Sequence, residues 1–335
     1  MLRVGIIGAG AIGKEHAKRL NGKLSGSTVV AISDVNIKGS KEFIAAEMPD
    51  VKFYESGQDL IKADDVDAIL VASWGPTHYE FVMSAIEAGK PVFCEKPLAT
   101  DQEDAKKIVD AEIKHGKKLV QVGFMRRYDQ GYKMLKAHID KGDLGQPLMV
   151  HSAHRNPEVP TEYKEDMPFH DTFIHEIDAL RWLVNDDYDT VQVFVPKQTK
   201  NTHSELQDPL MVIIKTKSGI FLDTEIFVNC KYGYDIKCSV VGETGVANLP
   251  EPMSLTLRNE AKLSNEILMD WKDRFVDSYD VELQDWVHST LKGEVNGPTA
   301  WDGYFAAVTA DACAKSRVTG EVISIETGDT PKFYQ

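Results

Sequence analysis

Residues 1–16 read MLRVGIIGAGAIGKEH, and the interval Gly8-Ala9-Gly10-Ala11-Ile12-Gly13 within them decides the fold. A glycine-rich corner of this kind also occurs where nothing is bound, so its neighbours carry the argument. Arg3 to Ile7 is a short apolar run of strand type, and Ala11 to Leu20 repeats apolar residues at helical spacing. Glycines between a strand and a helix let the chain turn tightly, bring backbone close to a ligand and seat the helix on the strand. The helix start then aims N–H groups and a positive dipole end at an anion such as a pyrophosphate. Gly8, Gly10, Ala11, Ile12 and Gly13 are therefore expected to cradle a dinucleotide.

The same rhythm continues down the chain. Strand patterns at Thr28 to Ser33, Ala68 to Ala72, Val92 to Glu95 and Leu119 to Gly123 alternate with helix patterns at Lys38 to Ala46, Tyr79 to Ala88 and Asp104 to Lys114. VAISD and AILVAS are nearly continuous apolar runs, as parallel strands covered on both faces require. This reads as a doubly wound α/β domain of Rossmann type over 1–123. Asp34 ends the second strand about 26 residues after Gly8. A carboxylate there accepts hydrogen bonds from ribose hydroxyls and repels a 2'-phosphate, and Val35 offers that phosphate no cation, so NAD is expected over NADP. The alternative is an Asp that only caps the following helix.

After Gly123 the pattern changes. LMVHSAHR, VQVFVP, LMVIIKTKSGIFLDTEIFVN and DIKCSVVG are longer strands with partial period-two alternation, and Lys217-Ser218-Gly219 has the look of a hairpin turn. An α+β domain with a large, mostly antiparallel sheet is expected over 124–335. One helix interrupts it, from about Phe173 to Leu183, and two more patterns follow at Val281 to Leu291 and Trp301 to Lys315.

With 335 residues, 42% hydrophobic and 27% charged, the chain can build two packed domains. A net charge of -14 argues against nucleic acid, whose phosphates call for clustered Lys and Arg. No apolar run approaches the ~18 residues of a membrane span, and the opening residues enter a strand without a cleavable signal, so a cytoplasmic protein is expected. Cys94, Cys230, Cys238 and Cys313 are scattered, without a C-x-x-C pair or a His at ligand spacing, which favours free thiols over disulfides or zinc.

Three later stretches carry polar chemistry. ASWGPTH, 72–78, follows an apolar strand at the edge where cofactors lie. Ser73, Trp74 and His78 can pack beside a dinucleotide, although Trp74 as interdomain core is nearly as good a reading and His78, at the start of a helix pattern, also reads as a surface residue. Cys94-Glu95-Lys96-Pro97 ends another strand and puts an ammonium at the same edge, where it can polarise a hydroxyl or carbonyl. Lys before Pro is otherwise an ordinary solvated residue. In HDTFIHEIDALRWL, Asp171, His175 and Asp178 recur at i, i+4 and i+7, so one helix face would carry all three. A carboxylate beside an imidazole orients it and raises its basicity. A His-Asp surface pair and a metal site are the competing readings, the latter without further ligands to support it.

Taken together, GAGAIGKEH, SWGPTH, CEKPL, GFMRRYD and HDTFIHEID resemble the glucose-fructose oxidoreductase / inositol dehydrogenase family (Gfo/Idh/MocA). AHRNP, NCKYGYDI, LPEP, GPTAWDGY and the final FYQ extend the likeness over the full chain, toward its inositol branch. The resemblance implies NAD-dependent oxidation of a cyclitol ring hydroxyl, myo-inositol to its 2-keto product. It assigns Lys96, Asp171 and His175 as catalytic, with Glu95 and Lys96 also near the cofactor. It places substrate contacts on Arg126, His154, Thr172, Asp178 and Tyr234, besides Lys96, Asp171 and His175. A homotetramer built on the second domain is implied in the same way, and no metal. Within the fold, a scyllo- or D-chiro-inositol dehydrogenase or an aldose dehydrogenase is the rival; outside it, a non-catalytic NAD-sensing protein, against which the presence of Lys96 and His175 counts.

Overall fold

Short apolar strands joined by helices build the first half of the chain. In order they are β1 (Leu2–Ile7), α1 (Ala11–Lys18), β2 (Ser27–Ser33), α2 (Ile37–Glu47), β3 (Lys52–Tyr54), α3 (Gly57–Lys62), β4 (Ala68–Val71), α4 (His78–Glu87), β5 (Val92–Glu95), α5 (Gln102–His115) and β6 (Val120–Gly123). The six strands form one parallel sheet in the order β3-β2-β1-β4-β5-β6. Every residue of β4, β5 and β6 is buried, which explains their unbroken apolar composition. Strand order reverses between β1 and β4, so the loops at the carboxyl ends of those strands open a crevice. Helix starts are set locally: the side chains of Asn36, Ser56 and Asp101 accept from backbone N–H groups of the first turns of α2, α3 and α5.

The chain continues with α6 (Gln130–Asp140), β7 (Pro147–Arg155), α7 (Ile174–Val184), β8 (Tyr188–Phe194), β9 (Leu210–Thr216), β10 (Phe221–Phe227), β11 (Asp235–Gly242), β12 (Val246–Asn248), the ribbon β13 (Thr256–Asn259) and β14 (Lys262–Asn265), α8 (Trp271–Lys292), α9 (Ala300–Thr319) and β15 (Ile323–Ser324). Seven of these strands form a second sheet in the order β12-β11-β7-β10-β9-β8-β15, antiparallel throughout except for the β7–β10 pair. The β9–β10 hairpin turns where the sequence expects it, with Gly219 at φ 99°. Buried and half-exposed residues alternate along β10 and β11, the mark of a sheet with one covered face.

The computed structural model describes all 335 residues as two compact units: Met1–Phe124 with Tyr279–Ala307 and Thr327–Gln335, and Met125–Ser278 with Val308–Glu326. The boundary at 123/124 expected from the sequence therefore needs correction at its far side, because two late segments return to the first unit. Leu283, Trp286 and Val287 of α8 complete the core made by Leu2, Val4, Ile6, Leu20, Ile32, Leu70 and Phe93. A helical apolar stripe in sequence does not say which sheet it covers. Two more expectations shift. The helix from Ala11 ends as α-helix at Lys18 and closes in a π-helical turn over Arg19–Lys23. β3 and α3 are too short, and α6 too polar in its exposed face, to stand out by periodicity.

Candidate active site

The turn from β1 into α1 has the shape a pyrophosphate needs. Gly8 adopts φ 98°, and a Cβ there would meet the backbone of Ala72 and Ser73. A Cβ on Gly13 would overlap the Gly8 carbonyl, whereas the space over Gly10 is open within 4 Å. The backbone thus approaches closely on two sides and leaves room on the third, at a helix start whose side chains add no cap. Asp34 follows β2. Its Oδ2 accepts from Ala9 N at 2.6 Å and its Oδ1 from Asn36 N at 2.6 Å, so the carboxylate also ties the glycine turn to its own loop. Each oxygen keeps acceptor capacity for a ribose hydroxyl. Val35 is wholly solvent-exposed and brings no cation. These residues fit NAD.

The loops after β4 and β5 are linked by His78, for which a surface position is the competing reading. His78 is 2% exposed, with Nδ1 2.7 Å from the Pro97 carbonyl and Nε2 3.0 Å from the Ser73 carbonyl. Burial, only partly opposed by these two hydrogen bonds, lowers its pKa and favours the neutral ring. The surface reading fails because the fold, not the sequence, brings the two carbonyls to it. Trp74 corrects in the other direction: at 77% exposure it is no core residue. The Ser73 hydroxyl pairs with Thr77 Oγ1 at 2.7 Å. Glu95 is 7% exposed and faces inward, Oε1 accepting from His16 Nε2 at 2.6 Å and Oε2 from the Lys96 amide at 3.2 Å. It shapes the loop that carries Lys96, which is half-buried at the end of β5.

In the second unit the HDTFIHEID stretch does not make one straight α-helix. Pro168–Phe173 is a π-helical turn, and α7 begins only at Ile174. Asp171 therefore lies on the wider turn rather than one α-turn below His175 and Asp178, and the shared-face expectation is corrected to that extent. Nor is this a surface pair: His175 is 9% and Asp178 3% exposed. Asp178 is held by Arg127, whose Nε donates at 2.9 Å and whose Nη2 also binds the carboxylate. Thr172, 4% exposed, meets Tyr163 Oη at 2.5 Å, while Tyr163 donates to the Met167 carbonyl at 2.8 Å. The single hydroxyl hydrogen of Tyr163 is thus used, and Thr172 is the donor in that pair.

Arg126, His154, Glu176 and Tyr234 converge. Arg126 Nη1 forms an ion pair with Glu176, its Nη2 stands 3.1 Å from His154 Nδ1, and His154 Nδ1 lies 2.9 Å from Glu176 Oε2. The rings of His175 and Tyr234 are 6.3 Å and 5.7 Å from that of His154. Burial pushes the Tyr234 hydroxyl up to about 12, so it remains a donor at neutral pH. Beside this cluster a cavity of about 670 Å³ is lined by Asp171, Tyr234, Tyr163, Asn156, Lys231 and Trp271. Asn156, Glu176 and Arg127 are the residues that sequence reading passed over. The only signal for Arg127 and Glu176 was a charge beside a chosen residue. No group of three or more His, Cys, Asp or Glu side chains is arranged to hold a metal ion.

Two family models match the chain: residues 2–124 fit the oxidoreductase family's NAD-binding Rossmann fold, and residues 136–325 its C-terminal alpha/beta domain. An inositol 2-dehydrogenase of Serratia proteamaculans is 55% identical over 99% of this chain and 99% of its own. One of Agrobacterium fabrum is 54% identical over 100% and 99%. Among solved structures, the myo-inositol dehydrogenase of Lactobacillus casei in complex with NAD(H) and myo-inositol superposes with a TM-score of 0.97 at 40% identity, covering 100% of both chains.

Proposed function

The chain belongs to the Gfo/Idh/MocA oxidoreductase family, whose first domain is an NAD-binding Rossmann fold, and we propose that it oxidises myo-inositol at the C2 hydroxyl to 2-keto-myo-inositol in inositol catabolism. The observation that carries the substrate class is the polar wall of the second unit's cavity, with Asp171, Tyr163, Tyr234 and Asn156 on it. A ring bearing a hydroxyl on every carbon can meet such donors and acceptors on several sides, and a site built for hydroxyls discriminates against an analogue lacking one by about 1–3 kcal/mol. The full-length relatives named inositol 2-dehydrogenase support the same class.

In this reading His175 takes the proton from the reacting hydroxyl, Asp171 orients the imidazole, and the Lys96 ammonium stabilises the developing alkoxide. NAD, when bound, supplies the hydride acceptor, which takes up the hydrogen and electron pair of the ring C–H. Gly8, Gly10, Gly13 and the first turn of α1 hold its pyrophosphate, and Asp34 its ribose. Arg126, His154, Thr172, Asp178 and Tyr234 orient the ring, the first four already tied to protein partners that fix them. The four cysteines, none of them in a disulfide, support a cytoplasmic location, and the family pattern a homotetramer, which light scattering on the purified protein checks.

Initial rates of NAD reduction with myo-, scyllo- and D-chiro-inositol, glucose and xylose test the proposal. The highest kcat/KM is expected for myo-inositol, whose C2 hydroxyl is the only axial one. Scyllo-inositol, all equatorial, would turn its C–H away in the same pose. A clear preference for scyllo-inositol or an aldose overturns the substrate; no NADH from any polyol overturns the activity.

A further inference from the structure

Glu176 follows the proposed base His175 on α7 and is 1% exposed. A carboxylate taken that far from water needs charged or hydrogen-bonding partners. It has both. Arg126 Nη1 pairs with Oε1, and His154 Nδ1 lies 2.9 Å from Oε2. Burial pushes the Glu176 carboxyl up, but the Arg126 charge and the hydrogen bonds from His154 and Arg126 bring it below the ordinary range, so it stays ionised.

The second guanidinium nitrogen of Arg126 stands 3.1 Å from the same His154 Nδ1, and that nitrogen cannot serve both neighbours. Arginine only donates and an ionised carboxylate only accepts. Were Nδ1 unprotonated, it would accept from Arg126 but face Glu176 lone pair to lone pair. Carrying the proton, it donates a charge-assisted bond to the carboxylate, the stronger arrangement. The neutral ring then has Nε2 as its acceptor. Arg126 lies with its guanidinium 5.5 Å above the Phe275 ring, near enough to Tyr234 for its charge to favour the phenolate against burial, and the Tyr234 ring meets His154 edge-on at 5.7 Å. One carboxylate thus sets the proton on an imidazole and the place of the guanidinium beside it.

We infer that Glu176 is a positioning residue for the substrate ring: it fixes His154 as the Nδ1–H tautomer, so that Nε2 accepts from a substrate hydroxyl, and it holds Arg126 in place beside that imidazole. This rests on the cyclitol reading above. It assigns a specificity role to a residue that needs no contact with substrate.

Glu176→Gln removes the charge and turns an amide N–H₂ toward Arg126 or His154. With it the KM for myo-inositol is expected to rise about tenfold or more, as when a hydroxyl loses its partner, while the KM for NAD moves by less than about twofold. A merely structural role would move both together. In a His154→Asn background the same substitution is expected to add little, because the two residues act through one bond. Unchanged KM for myo-inositol in E176Q, or losses that simply add in the double variant, overturn the proposal. If E176Q does not fold, histidine ¹⁵N spectra of the unaltered protein decide, the His154 signals being identified by their loss in H154N. The Nδ1–H tautomer is expected, and the Nε2–H tautomer overturns the proposal. Absence of inositol turnover in the unaltered protein overturns the substrate reading by itself, whatever the spectrum shows.

Discussion

Asp34 shows how much one side chain decides. Its two oxygens accept from Ala9 N and Asn36 N at 2.6 Å each, so it braces the glycine turn as well as offering acceptors to a ribose. Replacing Asp34 with Ser and Val35 with Arg removes a repelling charge and adds a phosphate partner; the ratio of kcat/KM for NADP over NAD is expected to rise by an order of magnitude or more. A double variant that still strongly favours NAD would show that Asp34 does not read the ribose. His175→Ala and Lys96→Ala are each expected to lower kcat by roughly 10²-fold or more, with NAD affinity and fold retained. Near-normal turnover in either would remove that residue from the mechanism. These positions stood out in the sequence because each lies within a few residues of a strand end or a helix start. Glu176 did not. Its partners are 50 and 22 residues away, distances over which only the folded chain decides who meets whom, as it also decides that the His78 ring lies against the Pro97 carbonyl 19 residues on.

Among the elements, the π-helical turn Pro168–Phe173 is the least legible and the most consequential, since it carries Asp171 and Thr172. Helical periodicity sees a continuous pattern there, and Pro168, lacking an N–H, gives no hint of the wider turn that follows. The strands were legible, because covered parallel strands must be apolar and half-covered antiparallel ones must alternate. The turn is anchored by His170, whose Nε2 lies 2.7 Å from Asp311 on α9 and whose Nδ1 lies 3.1 Å from the Asp166 carbonyl. Burial alone would lower the His170 pKa, but the Asp311 hydrogen bond, the Asp166 carbonyl and the two negative charges outweigh it and raise it above the ordinary value, with Arg317 beside Asp166. A raised folded-state pKa stabilises fully below the unfolded value of about 6.5 and the gain fades as pH climbs through the folded value. Asp311→Asn should therefore lower the melting temperature at pH 6, by the equivalent of up to about 1 kcal/mol, and much less at pH 9. An equal loss at both would mean that the imidazolium contributes nothing.

At the scale of the whole molecule, the first unit is not contiguous in sequence. Leu283, Trp286 and Val287, each at most 1% exposed, close the core begun by Leu2 and Val4, and Tyr334 donates to the buried Glu112 at 2.5 Å. Three such side chains contribute roughly 1.5–3 kcal/mol apiece, against a net stability of about 5–15 kcal/mol for a typical protein. A fragment of residues 1–124, which contains every strand of the parallel sheet, is accordingly expected to show no cooperative urea transition and no NAD binding by calorimetry. A sharp transition with retained binding would show that the late segments are dispensable. The same interleaving bears on how the protein is made. Domains ordinarily fold as the ribosome releases them, amino-terminal first. Here the nucleotide-binding half emerges early but must wait for the last residues of the chain. At ~5–20 residues per second, the roughly two hundred intervening residues leave its open hydrophobic seam exposed for about 10–40 s, an interval in which a nascent chain would be a natural client for chaperones.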